Sequence, residues 1–167
     1  MAQVFVSIGS NIDRARSVRF GVAALQREFG TLQLSPVYET RAVGFEGEDF
    51  YNLVAGFATS QSPRQVVDRL HAIEAACGRE RQQERFASRT LDIDLLLYDD
   101  LDLHDQGLNV PRDEILQYAF VLKPLVDLIP DRRHPLTGEC YRDLWQAMRE
   151  ETAGLRRIDF AFDTPDE

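Results

Sequence analysis

Two carboxylates two residues apart, Asp92 and Asp94, open a run that is otherwise apolar: Leu91-Asp92-Ile93-Asp94-Leu95-Leu96-Leu97-Tyr98. In a strand, successive side chains point to opposite faces, so the two acids share one face and Leu91, Ile93, Leu95 and Leu97 take the other. A strand this apolar is expected to be buried. Neighbouring buried carboxylates repel and lose hydration unless a cation sits between them. Oxygen ligands at that spacing suit Mg²⁺, which keeps several waters and is usually completed by substrate phosphates. Arg79, Arg81, Arg85 and Arg89 stand just upstream, and the guanidinium fork grips phosphate oxygens in pairs. Together these residues point to metal-assisted chemistry on a polyphosphate. Read singly, Asp-x-Asp also occurs in turns and calcium loops, and the arginines could be a solvated face paired with Glu74, Glu80 and Glu84.

The segment Arg89-Thr90-Leu91-Asp92-Ile93-Asp94 resembles the hallmark of the 6-hydroxymethyl-7,8-dihydropterin pyrophosphokinase family. The likeness extends in order along about residues 3–148. Val6-Ser7-Ile8-Gly9-Ser10-Asn11 is similar to the family's first strand and turn. Tyr38-Glu39-Thr40 with Asp49-Phe50-Tyr51-Asn52 resembles its pterin-binding stretch. Ile73-Glu74, Gly78-Arg79-Glu80-Arg81, Val110-Pro111 and Ala119-Phe120-Val121-Leu122-Lys123-Pro124-Leu125 fit later elements.

The resemblance implies an enzyme that moves pyrophosphate from ATP to the hydroxymethyl group of a reduced pterin in folate biosynthesis, leaving AMP. It implies two Mg²⁺ ions, bound with ATP and held by Asp92 and Asp94. Arg79 and Arg89 are then catalytic together with the acid pair. Glu74, Arg79, Arg81, Arg89 and Arg112 are expected at ATP. For the pterin it implies Asn52 as the amide at the ring edge and Phe120 as a stacking face. Phe50, Phe86, Thr40 and Val43 complete that set, Phe86 standing where the family usually has a tryptophan. A flat ligand with a polar edge wants aromatic faces and a group that both donates and accepts.

The chain departs from the family at two positions. Arg112 replaces a usual histidine and Tyr118 a usual arginine. Arg112 either takes over phosphate binding with a permanent charge or pairs with Asp113 or Glu114 on the surface. These changes keep open an alternative in another class, a non-catalytic paralogue that binds pterin or nucleotide.

Positioning such residues requires a packed domain, and 167 residues with 44% hydrophobic content suffice for one, spanning 1–167. The net charge of −9 disfavours nucleic acid or a membrane surface as partner. Cys77 and Cys140 are too few for a disulfide framework or zinc site; Cys77 is expected in the core. No apolar run reaches spanning length, so a cytoplasmic protein is expected, a monomer or weak dimer. Strands are expected over 3–8, 32–38, 51–59 and 90–98, the second carrying Pro36 as an edge strand would. Helices are expected over 13–29 and from Pro63 to Gly78, with Ser62 as cap, and further helices over 113–128 and 141–149. The order strand–helix–strand–strand–helix–strand predicts an α+β, ferredoxin-like, four-stranded antiparallel sheet with packed helices and C-terminal additions. The last twenty residues carry no signal.

Overall fold

The structure is a computed structural model that describes residues 1–40, 49–80, 91–148 and 154–162, with the side chains of 79 and 80 excluded. Strand β1 (Ala2–Ser10) leads into helix α1 (Arg14–Phe29), then β2 (Gln33–Leu34), β3 (Val37–Thr40) and β4 (Phe50–Thr59). Helix α2 (Pro63–Glu80) and β5 (Asp92–Tyr98) follow, then short 3₁₀ turns at His104–Gln106 and Asp113–Leu116. Helices α3 (Ala119–Leu128) and α4 (Tyr141–Met148) and strand β6 (Leu155–Ile158) complete the order.

The strands form one antiparallel sheet in the order β5-β1-β4-β3-β6, with β2 paired to β4 beside β3. The sheet therefore has six strands rather than the expected four. Two causes account for the difference. Ser35-Pro36 divides the second expected strand, because proline has no N–H for a ladder; Ser35 instead exchanges bonds with Val54, its N–H donating to the Val54 carbonyl and its Oγ accepting from the Val54 N–H. The tail that carried no signal supplies β6, which covers β3, so β3 is not an edge strand.

Helices α1 and α2 follow the expected pattern. Val18, Val22 and Leu25 of α1, with Val66, Leu70 and Ile73 of α2, are buried in one cluster with Val4, Val6, Ile8, Leu53 and Phe57 of the sheet. Gly30 ends α1 at φ 87°, a conformation glycine reaches without a Cβ penalty. Ser62 caps α2 reciprocally with Gln65, each side-chain oxygen accepting from the other's backbone N–H. Helix α2 runs through Gly78 to Glu80, two residues beyond the expected end. Cys77 is buried in the core as expected.

The opposite face packs α3 and α4 over Phe5, Val54, Leu96 and Leu97. Leu97 was expected with Leu91, Ile93 and Leu95. A bulge corrects this: Val6 pairs with Leu95 but Phe5 with Leu97, so Leu96 is inserted and both leucines turn toward α3. The single helix expected over 113–128 is a 3₁₀ turn and α3, separated by Gln117-Tyr118 in non-helical geometry. No helix among the described residues is long and apolar enough to cross a membrane.

Candidate active site

Sheet register brings the chemistry-bearing residues together. Gly9 pairs with Asp92 on one side and Asn52 on the other, and Asn52 pairs with Tyr38. One row across four strands thus reads Asp92, Gly9, Asn52, Tyr38. The next row sets Asp94 beside Ser7. Alternation puts Asp92, Asp94, Asn52, Phe50 and Thr40 on the face that α3 covers only in part.

Gly9 is required in this row. A Cβ there would lie 2.9 Å from the Asn52 Oδ1 and 3.7 Å from the Tyr51 carbonyl oxygen. Its absence lets the Asn52 amide lie across the neighbouring strand. Asn52 is 8% exposed, and its Nδ2 donates to Thr40 Oγ1 at 3.0 Å. Thr40 itself pairs with Phe50. Three of the expected pterin residues therefore stand in contact or in register. Phe120, the second residue of α3, packs half-buried on the second cluster and is stacked with Tyr118 at 5.1 Å between ring centres.

Around the acid pair the groups are charged. Asp92 and Asp94 are half-buried, where full burial was expected, since β5 lies at the sheet's edge. Glu74 reaches from α2 to that edge, and its Oε2 accepts the Ile93 N–H at 2.7 Å. Burial pushes the Glu74 carboxyl above the usual carboxylate range. The Ile93 N–H opposes that shift, and the charges of Asp92 and Asp94 add to it. Arg112 docks its backbone N–H on the Leu96 carbonyl at 3.0 Å. Its Nε donates to Glu114 at 2.5 Å, and an Nη stands 3.6 Å from Asp94 Oδ1. The expected pairing with Glu114 is thus present, and the same guanidinium faces Asp94. A cleft of about 130 Å³ runs from there between α2 and the 107–110 segment, lined by Val67, Leu70, His71, Leu108 and Arg112 among others. His71 was not foreseen; only the fold turns this face of α2 toward Asp94.

Carboxylates crowded on one face fit a hard divalent cation, whose charge would relieve their repulsion. Among the described residues no three His, Cys, Asp or Glu form a metal-holding group. Asp92 and Asp94 offer two carboxylates on one face, and Mg²⁺ is usually held by one or two carboxylates together with substrate phosphates. Val43, Arg81, Arg85, Phe86 and Arg89 lie outside the described residues, as does the Arg79 side chain.

The family model for 7,8-dihydro-6-hydroxymethylpterin-pyrophosphokinase matches residues 5–130. The chain belongs to that family. It is 37% identical over 137 residues to the 2-amino-4-hydroxy-6-hydroxymethyldihydropteridine pyrophosphokinase of Pseudomonas aeruginosa, covering 80% of this chain and 84% of that protein. The protein of the same description from Aquifex aeolicus is 31% identical over 138 residues, covering 81% and 86%. A Plasmodium falciparum HPPK-DHPS structure superposes with a TM-score of 0.73 at 13% identity, covering 94% of this chain and 46% of that one. This shows the shared fold, a mixed α/β arrangement on an antiparallel sheet. The chain spans 18% of the length of the Pneumocystis carinii folic acid synthesis protein fol1, to which it is 31% identical.

Proposed function

We propose that this member carries out the family's reaction on the row Asp92–Gly9–Asn52. Pyrophosphate passes from ATP to the hydroxymethyl oxygen of 6-hydroxymethyl-7,8-dihydropterin, giving AMP, in folate biosynthesis. The observation that carries this reading is the register itself, which sets a carboxylate pair and a buried amide one strand apart on a single open face. Such transfer asks the protein mainly for alignment and charge neutralisation.

Asp92 and Asp94 would hold two Mg²⁺ ions through their carboxylates. Bound there with the triphosphate, the ions would neutralise the entering and leaving oxygens and make the alcohol more acidic. The Asn52 amide reads the pterin's polar edge, supported by Thr40. Phe50 and Phe120 offer it apolar faces. Arg112 turns from Glu114 toward phosphate, and the cleft beside Leu70 and Leu108 takes the rest of the nucleotide. Glu74 holds the edge of β5 through the Ile93 N–H. Arg79, Arg81 and Arg89 at phosphate, and Val43 and Phe86 at the pterin, are assigned on family resemblance alone. The order β5-β1-β4-β3 is read as a ferredoxin-like core to which β2 and β6 are added. A single domain over 1–167, a monomer or weak dimer in the cytoplasm, completes the proposal.

The test is direct. The protein is incubated with ATP, Mg²⁺ and the hydroxymethyl-dihydropterin, and nucleotide products are separated. AMP with the pterin diphosphate is expected; ADP, or no product, overturns the reading. A Mn²⁺ titration with a non-hydrolysable ATP analogue counts the ions, with two expected.

A further inference from the structure

Behind the row that carries Asn52, on the α1 side of the sheet, stands a polar cluster that the transfer does not use. Glu39 lies between Tyr38 and Thr40 in β3, so its side chain takes the face opposite theirs, and it is only 9% exposed. A carboxylate so enclosed is costly unless cations and hydrogen bonds compensate it. Arg14, the first residue of α1, meets it at 2.7 Å, and Arg156 of β6 is ion-paired to its other oxygen.

Arg14 does more than neutralise. The same Nη1 donates to the Asp49 carbonyl at 2.8 Å, and the guanidinium lies 4.1 Å from the centre of the Tyr51 ring. One rigid, permanently charged plane thus touches β3, the residue preceding β4, and β4 itself. Thr40 and Phe50, a paired couple, stand at that same end of the two strands, with Asn52 bonded to Thr40. The separation of the three is therefore set where Arg14 bridges the strands.

We infer that Arg14 and Glu39 are positioning residues for the pterin: they fix the spacing of Thr40, Phe50 and Asn52 from the back of the sheet without touching the ligand. The inference rests on the assignment of those three residues to the pterin. It deepens that assignment by locating its support at Arg14, which no motif of the sequence marks. The nucleotide, bound near β5 at the other side of the sheet, should not sense the cluster.

Calorimetry separates these statements. An ATP analogue is titrated alone, and the pterin is titrated into analogue-saturated protein, for wild type, Asn52→Ala, Arg14→Met, Glu39→Gln and the Arg14→Met/Glu39→Gln double variant, each with a melting curve. Asn52→Ala is expected to weaken pterin binding, which tests the assignment alone. Arg14→Met is expected to lose about tenfold in pterin affinity, because a displaced contact surface is felt at the ligand. Its affinity for the analogue should stay within about twofold, and the double variant should bind pterin no worse than Arg14→Met, since both changes remove one shared contact. If Arg14→Met does not fold, Arg14→Lys takes its place; it keeps the charge but loses the plane, and a loss of about threefold for pterin is expected. If Asn52→Ala spares the pterin, the assignment fails and the inference with it. If Asn52→Ala weakens pterin while the Arg14 variant binds both ligands normally, or loses both equally, the assignment stands and the positioning role is overturned.

Discussion

The two flanks of the site share one sheet face but are held in opposite ways. At the pterin flank, Asn52 is buried, its amide bonded to Thr40, its side chain admitted by the missing Cβ of Gly9, and its strand pair bridged from behind by Arg14. That is a polar platform whose amide is bonded within the protein itself. At the nucleotide flank, three carboxylates converge at an edge strand, and Arg112 is divided between Glu114 and Asp94. The charges of Asp92 and Asp94 add to the burial that raises the proton affinity of Glu74. On the proposed function the first flank would recognise shape and hydrogen bonds. The second would meet cations and phosphates, whose charges complement its carboxylates and Arg112.

The largest expected effect tests that contrast at the acid pair. Asp92→Asn or Asp94→Asn should lower turnover by ~10²–10³-fold or more, as removal of a charge-stabilising group at a reacting centre does. Apo stability should hold or rise, because repulsion with Glu74 is relieved. Initial rates of AMP release and melting curves measure the two. A loss of apo stability in both variants would show that the acid pair is as well satisfied as Asn52, and the contrast would collapse.

Gly9→Ala should come next, acting at the other flank. Its methyl group would lie 2.9 Å from Asn52 Oδ1, so the amide must move, and crowding a packed site typically costs ~1–3 kcal/mol. Pterin affinity should fall about tenfold or more, the equivalent of that cost, with ATP analogue binding nearly unchanged. Equal losses for both ligands in a calorimetric titration would mean that the flanks are not separable at Gly9.

How much of this was legible in the sequence follows from range. The alternation of Asp92 and Asp94 and the caps at Ser62 and Gly30 are local properties, written in a few residues. The family motif added Asn52, Phe50 and Phe120, which no local pattern would have grouped. The bulge at Leu96, the strand β6 and the row that joins Asp92 to Asn52 depend on pairing between distant strands, and alternation within one strand carries no information about its partner's register. Arg14 is the clearest case. It begins a helix and looks like any solvated arginine, until β3 and β4 are brought beside it.

Arg112→Ala should have an intermediate effect that sharpens the comparison. Arg112 side-chain exposure is 27%, against 32% for Glu114 and 33% for Asp94, so the group is neither free in solvent nor locked in the core. Losing it should weaken the ATP analogue by about three- to tenfold, the range of one charge-assisted contact that is partly screened, and leave the pterin unaffected. Unchanged affinity for the analogue would reduce Arg112 to a surface partner of Glu114.

The smallest effect expected is at Glu74, where the sign is more telling than the size. Its carboxyl titrates above the usual range, first because it is buried, with Asp92 and Asp94 adding to the shift. For an acid raised on folding, the unfolded chain gives up its proton first. The favourable state is complete below the ordinary carboxyl value of ~4.3 and is lost as pH rises through the folded value. At neutral pH the ionised Glu74 therefore weighs against the apo fold. Glu74→Gln keeps an oxygen to accept the Ile93 N–H but removes the charge. Its apo melting temperature should exceed wild type by about 2 °C at pH 7–8, what ~0.5–1 kcal/mol amounts to in a domain of this size. The gap should close toward pH 4, where wild-type Glu74 is itself protonated, and narrow at pH 7 when Mg²⁺ and ATP analogue neutralise the neighbouring acids. A variant that melts below wild type at pH 7 would place Glu74 with Asn52, among the groups that the apo fold already satisfies.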